Sequence, residues 1–159
     1  MRVAIVADTH SRSLPDACVR ELRGADLILH AGDHSSLTAF EELRAFGPPV
    51  EAVHGNVDEP ALRELLPRER KVELETVTIG LVHVPGPAAG REARLVARFP
   101  GCHAVVYGHT HRPQVERHGG VWILNPGSPT ERRRSPDRTM IVLGVGGGGI
   151  TPELISLGT

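Results

Sequence analysis

Three short apolar runs, separated by segments of helical periodicity, occupy the first sixty residues of the chain. The runs lie at residues 2–7, 25–33 and 49–56. Between the second and third runs, Leu37, Phe40 and Leu43 recur at the spacing of one helix face. Strands that alternate with helices predict a parallel sheet with right-handed connections. This alternation limits the opening of the chain to a few α/β topologies.

The predicted helices carry candidate capping residues. Ser13 precedes the first helix, and Ser35 or Ser36 precedes the second. Asp58 is placed to cap a third helix, with Pro60 in its first turn. Each strand of the opening is therefore expected to lead through a short loop into a helix.

The rest of the chain is richer in β-structure. A hairpin, a helix, a strand and two further hairpins are predicted at residues 71–84, 91–99, 102–108, 114–128 and 139–157. Turns are expected at Thr76, at Gly119 and Gly120, and in the glycine run 146–149. We expect one α/β domain over residues 1–159. It has two mixed β-sheets packed face to face with helices on the outer faces, a four-layer α/β/β/α sandwich.

The composition limits the classes of function. The formal net charge is −1 and the aromatic content is 3%, so nucleic-acid binding is disfavoured because the chain has no net positive charge and few base-stacking groups. No signal peptide or membrane-spanning run is recognised, which predicts a cytoplasmic protein without a membrane partner. Cys18 and Cys102 lack a motif and are expected to be buried thiols.

Polar side chains with oxygen or nitrogen donors follow five of the predicted strands. They are Asp8, His10, Asp33, Asn56, His83, His109 and His111. Strand ends deliver side chains into clefts, and residues i and i+2 of an extended chain point to the same side. We therefore expect Asp8 and His10 to face one ion together. His109 and His111 are expected to face one cleft, where they could serve one ion or two neighbouring ions.

Each of these residues also has a structural interpretation. Asp33 could cap the following helix, Asn56 could be a turn residue, and His83 could be a hydrogen-bonded core histidine. The metal interpretation is favoured because five strand ends offer compatible ligands and none offers a thiolate.

The motifs together resemble those of the calcineurin-like metallophosphoesterase superfamily. In chain order they are "DTH" (8–10), "GD" (32–33), "GNVD" (55–58), "VH" (82–83) and "GHTH" (108–111). The sequence "NPGS" at 125–128 is further similar to the small bacterial and archaeal phosphodiesterase branch. Its polar residues are expected to support the loops of the site.

The resemblance implies two divalent ions that share one carboxylate. The implied ligands of the first ion are Asp8, His10, Asp33 and His111, and those of the second are Asp33, Asn56, His83 and His109. Asp33, Asn56 and His109 would serve catalysis through the metals, and Asn56 would also contact substrate. Mn²⁺ is the expected metal, and Ni²⁺, Fe²⁺, Co²⁺ or Zn²⁺ fits the same ligands. The implied reaction is hydrolysis of a small phosphodiester by a hydroxide that bridges the ions.

The sequence departs from the family pattern at two positions. Val57 stands where the wider superfamily has a histidine that assists the leaving group, so esters with leaving groups of low pKa should react best. His34 is a candidate replacement acid, and its alternative is an exposed residue at the start of a helix. Val84 stands where the family usually has a glycine directly after His83, so the sequence does not determine the shape of the cleft. Arg12 is a candidate substrate contact.

Several alternatives remain at this point. The same metals would serve a phosphomonoesterase. The retromer sorting subunit shares the motif pattern yet works through protein contacts, so an inactive scaffold is the non-enzymatic alternative. The expected partner is a small phosphodiester or nucleotide-like substrate, and homo-oligomerisation stays open.

Overall fold

A computed structural model describes residues 1–159 as ten strands and four helices. In chain order they are β1 (Arg2–Val6), α1 (Asp16–Arg23), β2 (Leu27–His30), α2 (Leu37–Arg44), β3 (Val50–Ala52), α3 (Pro60–Leu65), β4 (Glu69–Leu74), β5 (Val77–Val82), α4 (Arg91–Arg98), β6 (Ala104–Val106), β7 (Gln114–His118), β8 (Val121–Asn125), β9 (Thr139–Gly146) and β10 (Gly149–Ser156). Every strand and helix expected from the sequence is present, although β3 and β6 are shorter than their apolar runs.

The first sheet has the strand order β10-β9-β1-β2-β3. Its strands β1, β2 and β3 are parallel neighbours, as the alternation of strands and helices predicts. The C-terminal hairpin joins the same sheet, because β9 pairs antiparallel with β1. The sheet is therefore mixed.

The second sheet has the strand order β4-β5-β6-β8-β7. Its three central strands are parallel, and β4 and β7 pair antiparallel at the two edges. The predicted turns at Thr76 and at Gly119–Gly120 connect the hairpin strands.

An apolar core of 18 buried residues, drawn from both sheets, lies between them and includes Val3, Ile5, Ile79 and Leu124. Helices α1 and α2 cover the outer face of the first sheet, and α4 covers that of the second through Leu95. This arrangement confirms the predicted four-layer sandwich. None of the four helices has both the length and the hydropathy needed to cross a bilayer.

The starts of the helices differ in part from expectation. Ser36 caps α2, and its side chain accepts a hydrogen bond from the backbone N–H of Ala39 at 3.2 Å. Helix α1 follows Pro15 without a side-chain cap, so the prediction for Ser13 is wrong. The prediction that Asp58 caps α3 is also wrong, because its carboxylate binds backbone groups elsewhere.

Candidate metal centre

The seven predicted donors follow the carboxyl ends of strands β1, β2, β3, β5 and β6. Three of these strands belong to the first sheet and two to the second. Since the parallel strands end at matching edges, loops from both sheets meet at one place. The side chains brought together there are those of Asp8, His10, Asp33, Asn56, His83, His109 and His111.

Five of the donors have left-handed backbone conformations, which the sequence did not indicate. The φ angles are 55° at Asp8, 51° at His10, 63° at Asp33, 75° at His109 and 59° at His111. The expectation that these pairs point together along an extended chain is therefore wrong, although the side chains of Asp8 and His10 do lie near each other. Left-handed backbone costs a residue other than glycine about 1–3 kcal/mol and concentrates at functional sites.

Asp8, His10 and His111 form one group of candidate ligands. The Nε2 atoms of the two histidines lie 3.1 Å apart, and that of His111 lies 3.5 Å from Asp8 Oδ1. His111 Nδ1 lies 3.2 Å from the carbonyl oxygen of Glu131. A proton on Nδ1 would donate to this carbonyl, which leaves Nε2 unprotonated and facing the group, as metal-binding imidazoles require.

Asp8, Asp33 and His83 form a second group. His83 Nε2 lies 3.0 Å from Asp33 Oδ2 and 3.8 Å from Asp8 Oδ1. The other ring nitrogen, Nδ1, is 2.7 Å from the carbonyl oxygen of Ala31, to which its proton would donate. The ring of His83 is therefore oriented from behind towards the two carboxylates.

Asn56 and His109 complete the second group. Asn56 Oδ1 lies 3.0 Å from His83 Nε2 and 3.1 Å from His109 Nδ1. The backbone N–H of His109 donates to Asp8 Oδ2 at 3.0 Å, so the loop after β6 is tied to the loop after β1. All seven donors are thus joined by contacts within one cluster.

One buried atom indicates what the cluster is built to bind. Asp8 Oδ1 is buried without a hydrogen-bond partner, and it lies within 3.8 Å of the Nε2 atoms of His10, His83 and His111. A carboxylate oxygen that faces unprotonated nitrogens is unfavourable unless a cation lies among them. A cluster of oxygen and nitrogen donors without thiolates fits first-row divalent ions.

The pKa values follow from this crowding of acceptors. The pKa of Asp8 is raised to about 7, chiefly by burial and also by the neighbouring Asp33 carboxylate, against the lowering effect of His83. Burial lowers the pKa of His111 to about 4. Burial also opposes protonation of His83, but the hydrogen bond to Asp33 and the charges of both carboxylates raise its pKa overall. The charge of the two carboxylates, which raises the pKa of His83, is also the charge that would attract a cation.

The two groups have Asp8 in common, whereas Asp33 belongs to the second group alone. Asp33 Oδ1 accepts a hydrogen bond from the backbone N–H of Val57 at 3.0 Å, and only Oδ2 faces His83. The assignment of Asp33 as the shared ligand stays a prediction.

The "NPGS" segment supports the loops, as the sequence indicated. The buried hydroxyl of Ser128 donates to the carbonyl oxygen of Asp8 at 2.8 Å and accepts from the backbone N–H groups of Thr130 and Glu131. The side-chain amide of Asn125 donates to Thr110 Oγ1, between the two histidines of "GHTH". These contacts hold the backbone on which Asp8, His109 and His111 stand.

Asp58 is a supporting residue that sequence reasoning misassigned. Its buried carboxylate accepts from the backbone N–H groups of Asp33 at 3.2 Å, Ser35 at 2.7 Å and Gly55 at 2.6 Å. It therefore joins the loop after β2 to the loop after β3. An aspartate before a proline-led helix matches a capping pattern equally well, so the sequence could not separate the two roles.

His34 is buried, with 1% of its surface exposed, so the expectation of an exposed helix residue is wrong. Its ring stacks on His30 at 3.6 Å, and its Nε2 lies 3.2 Å from the carbonyl oxygen of Val53. This placement argues against His34 as the acid for a leaving group. His30 is itself a buried structural residue, and its Nδ1 accepts a hydrogen bond from the backbone N–H of Gly32.

Arg12 forms an ion pair with Glu131 at 2.6 Å, and its side chain is 64% exposed. The guanidinium therefore lies near the loop that supports His111, and a contact with substrate stays a prediction.

The family model of the calcineurin-like phosphoesterase superfamily domain matches residues 1–148. The chain belongs to this superfamily. Metallophosphoesterases use divalent metal ions, which agrees with the donor cluster. The match also confirms the resemblance inferred from the motifs.

Three known proteins show the extent of the similarity. A probable metallophosphoesterase from Methanothermobacter thermautotrophicus is 34% identical over 164 residues, with coverage of 99% of this chain and 94% of the relative. A Thermotoga maritima protein solved by solution NMR is 32% identical, with a TM-score of 0.76 and coverage of 98% of each chain. A structure described as a novel archaeal phosphodiesterase is 20% identical, with a TM-score of 0.73 and coverage of 98% of this chain and 100% of that one.

Proposed function

We propose that the protein is a metal-dependent phosphodiesterase that hydrolyses small phosphodiesters with two divalent ions, of which Mn²⁺ is the expected metal. The observation that carries this proposal is the buried Asp8 Oδ1, which has three imidazole Nε2 atoms around it and no protein donor. The similarity of the fold to that of an archaeal phosphodiesterase agrees with the proposal.

Bound ions would neutralise phosphoryl oxygens and make water a stronger nucleophile near neutral pH. The chain's own residues hold that arrangement rigid. Ala31 and Glu131 orient the rings of His83 and His111 through their carbonyl oxygens, and the N–H of His109 fixes one oxygen of Asp8. A site fixed before substrate binds needs little reorganisation during the reaction.

The departing oxygen has no evident acid beside it. Val57 is 49% exposed next to Asn56 in the chain, and a valine cannot transfer a proton. We therefore expect diesters with aryl leaving groups, which depart without protonation, to be cleaved faster than dialkyl esters.

The test is metal analysis of the purified protein, followed by Mn²⁺-dependent release of p-nitrophenolate from bis-p-nitrophenyl phosphate. We expect two ions per chain and turnover that chelation abolishes. His111→Ala should lose metal binding and turnover, because it removes a nitrogen from the cluster. His118→Ala, which removes an exposed imidazole on β7, is the matched control and should keep both.

The alternatives predict different results. Preference for p-nitrophenyl phosphate over the diester would identify a phosphomonoesterase. Two bound ions without turnover of any ester would favour the scaffold alternative, which the absence of an acid at position 57 keeps in view.

A further inference from the structure

We propose that the cavity beside Asn56 and His83 is a substrate subsite for a second phosphate, carried on one arm of the phosphodiester. This inference rests on the proposed function, because it places the substrate's other phosphate at the donor cluster. The cavity has a volume of about 180 Å³, and its wall includes Arg63, Arg68 and Val84 as well as the two donors.

The charge of the cavity wall is unbalanced. Two arginines and two histidines line the cavity, and no carboxylate does. Another cavity, beside Thr110, also has two arginines, but Glu92 and Glu116 offset them there. The cavity that shares its wall with Asn56 and His83 is therefore the one that combines access to the donors with net positive charge.

Arg68 is free to bind an anion. The arginines that form ion pairs are Arg2, Arg12, Arg70, Arg98 and Arg133. Glu69, the next residue along the chain, is already paired with Arg98 at 2.6 Å. The charge of Arg68 is thus not offset by an acidic partner.

Arg63 keeps its charge while its position is fixed. Its Nε donates to the carbonyl oxygen of Asp58 at 2.9 Å, and a terminal nitrogen donates to the carbonyl oxygen of Asn56. Both acceptors are neutral, so the guanidinium holds the loop that carries Asn56 and still presents positive charge. Guanidinium groups suit phosphate because they bind its oxygens in pairs.

The size of the cavity indicates one substituent rather than a whole ligand. Pockets for complete ligands span about 300–1,000 Å³, which is larger than this cavity. Val84 in the wall is 37% exposed and gives an apolar surface for the group that links the two phosphates. The substrate class is therefore a phosphodiester with a further phosphate on one arm, as in an ester of a nucleoside bisphosphate.

A matched pair of chromogenic esters tests the subsite. The p-nitrophenyl ester of thymidine 5′-phosphate and its 3′-phosphorylated form differ only in the second phosphate. We expect the 3′-phosphate to raise kcat/KM about ten-fold or more, since hydrogen bonds to charged groups are the stronger ones. Arg68→Ala should remove this preference, Arg68→Lys should restore part of it, and Arg20→Ala on α1 should leave it intact. Arg63 is a poorer choice for substitution because it also holds Asn56.

A binding measurement separates this inference from the proposed function. With Mn²⁺ present, calorimetric titration should show that thymidine 3′,5′-bisphosphate binds more tightly than thymidine 5′-phosphate, and that Arg68→Ala removes the difference. Cleavage of both esters at equal rates, with equal affinities, would overturn the subsite and leave the phosphodiesterase standing. A preference in binding, without cleavage of either ester, would support the subsite and overturn the phosphodiesterase. A preference that persists in Arg68→Ala would also overturn the subsite.

Discussion

Replacing Asp8 with asparagine should make the metal-free protein more stable while it destroys metal binding. In the wild-type chain, Asp8 Oδ2 accepts from the N–H of His109, but Oδ1 is buried without a partner. The asparagine can keep the first contact through its carbonyl oxygen. Its amide would then occupy the place of Oδ1, where it can donate towards the Nε2 of His111, 3.5 Å from that position.

The size of this gain in stability follows from the pKa of the Asp8 carboxyl group. Burial raises the pKa of Asp8 from 3.8 to about 7. At about 1.4 kcal/mol per pKa unit, the ionised carboxylate costs the metal-free fold up to about 4 kcal/mol at pH 8. Because the folded-state pKa is raised, the cost is absent below about pH 4, grows as the pH rises towards 7 and is constant above it.

Urea unfolding in EDTA, followed by circular dichroism, measures the effect. We expect Asp8→Asn to raise the free energy of unfolding by about 2–4 kcal/mol at pH 8, and by roughly half as much at pH 5. Excess Mn²⁺ should reverse the order, since only the wild-type cluster gains stability from bound ions. Asp16→Asn, at an exposed carboxylate on α1, is the control and should change stability little at either pH. An Asp8→Asn protein less stable than the wild type in EDTA at pH 8 would refute the reasoning.

Three further predictions concern the supporting residues. Ser128→Ala removes a buried hydroxyl with three backbone partners, so urea unfolding should show a loss of about 1–3 kcal/mol, and an unchanged midpoint would argue against its role. Gly55→Ala would place a Cβ 2.0 Å from Asp33 Oδ1, so calorimetry should show strongly weakened Mn²⁺ binding, while Gly146→Ala, with open space around its Cβ, should bind normally. Asp58→Ala leaves three backbone N–H groups without their acceptor and should lower both stability and Mn²⁺ affinity, and full affinity would show that the loops are held by other contacts.

Much of the fold could be predicted because its signals are local. Apolar runs such as that of β1 are buried on both faces, and helical spacing in α2 is visible over eight residues. The pairing of β9 with β1 could not be predicted, since a hairpin pattern does not reveal which sheet edge it joins. That choice depends on packing between residues 140 positions apart in the chain.

The composition of the donor cluster could be predicted, but its geometry could not. The seven donors are the polar residues that interrupt apolar runs, which the sequence displays directly. The left-handed backbone at Asp8 and His109 could not be located from the sequence, because aspartate and histidine adopt it more often than most residues but still only occasionally. The cavity with Arg63 and Arg68 was also missed, since α3 and the start of β4 meet the donors only in the folded chain.

The most direct test of the donor cluster is an anomalous difference map from crystals soaked in Mn²⁺. We expect two peaks about 3.5–4 Å apart, as in other two-metal sites. One should lie among Asp8, His10 and His111, and the other among Asp33, Asn56, His83 and His109. A map without peaks at these side chains, with manganese bound elsewhere or nowhere, would show that the donor cluster is not a metal site.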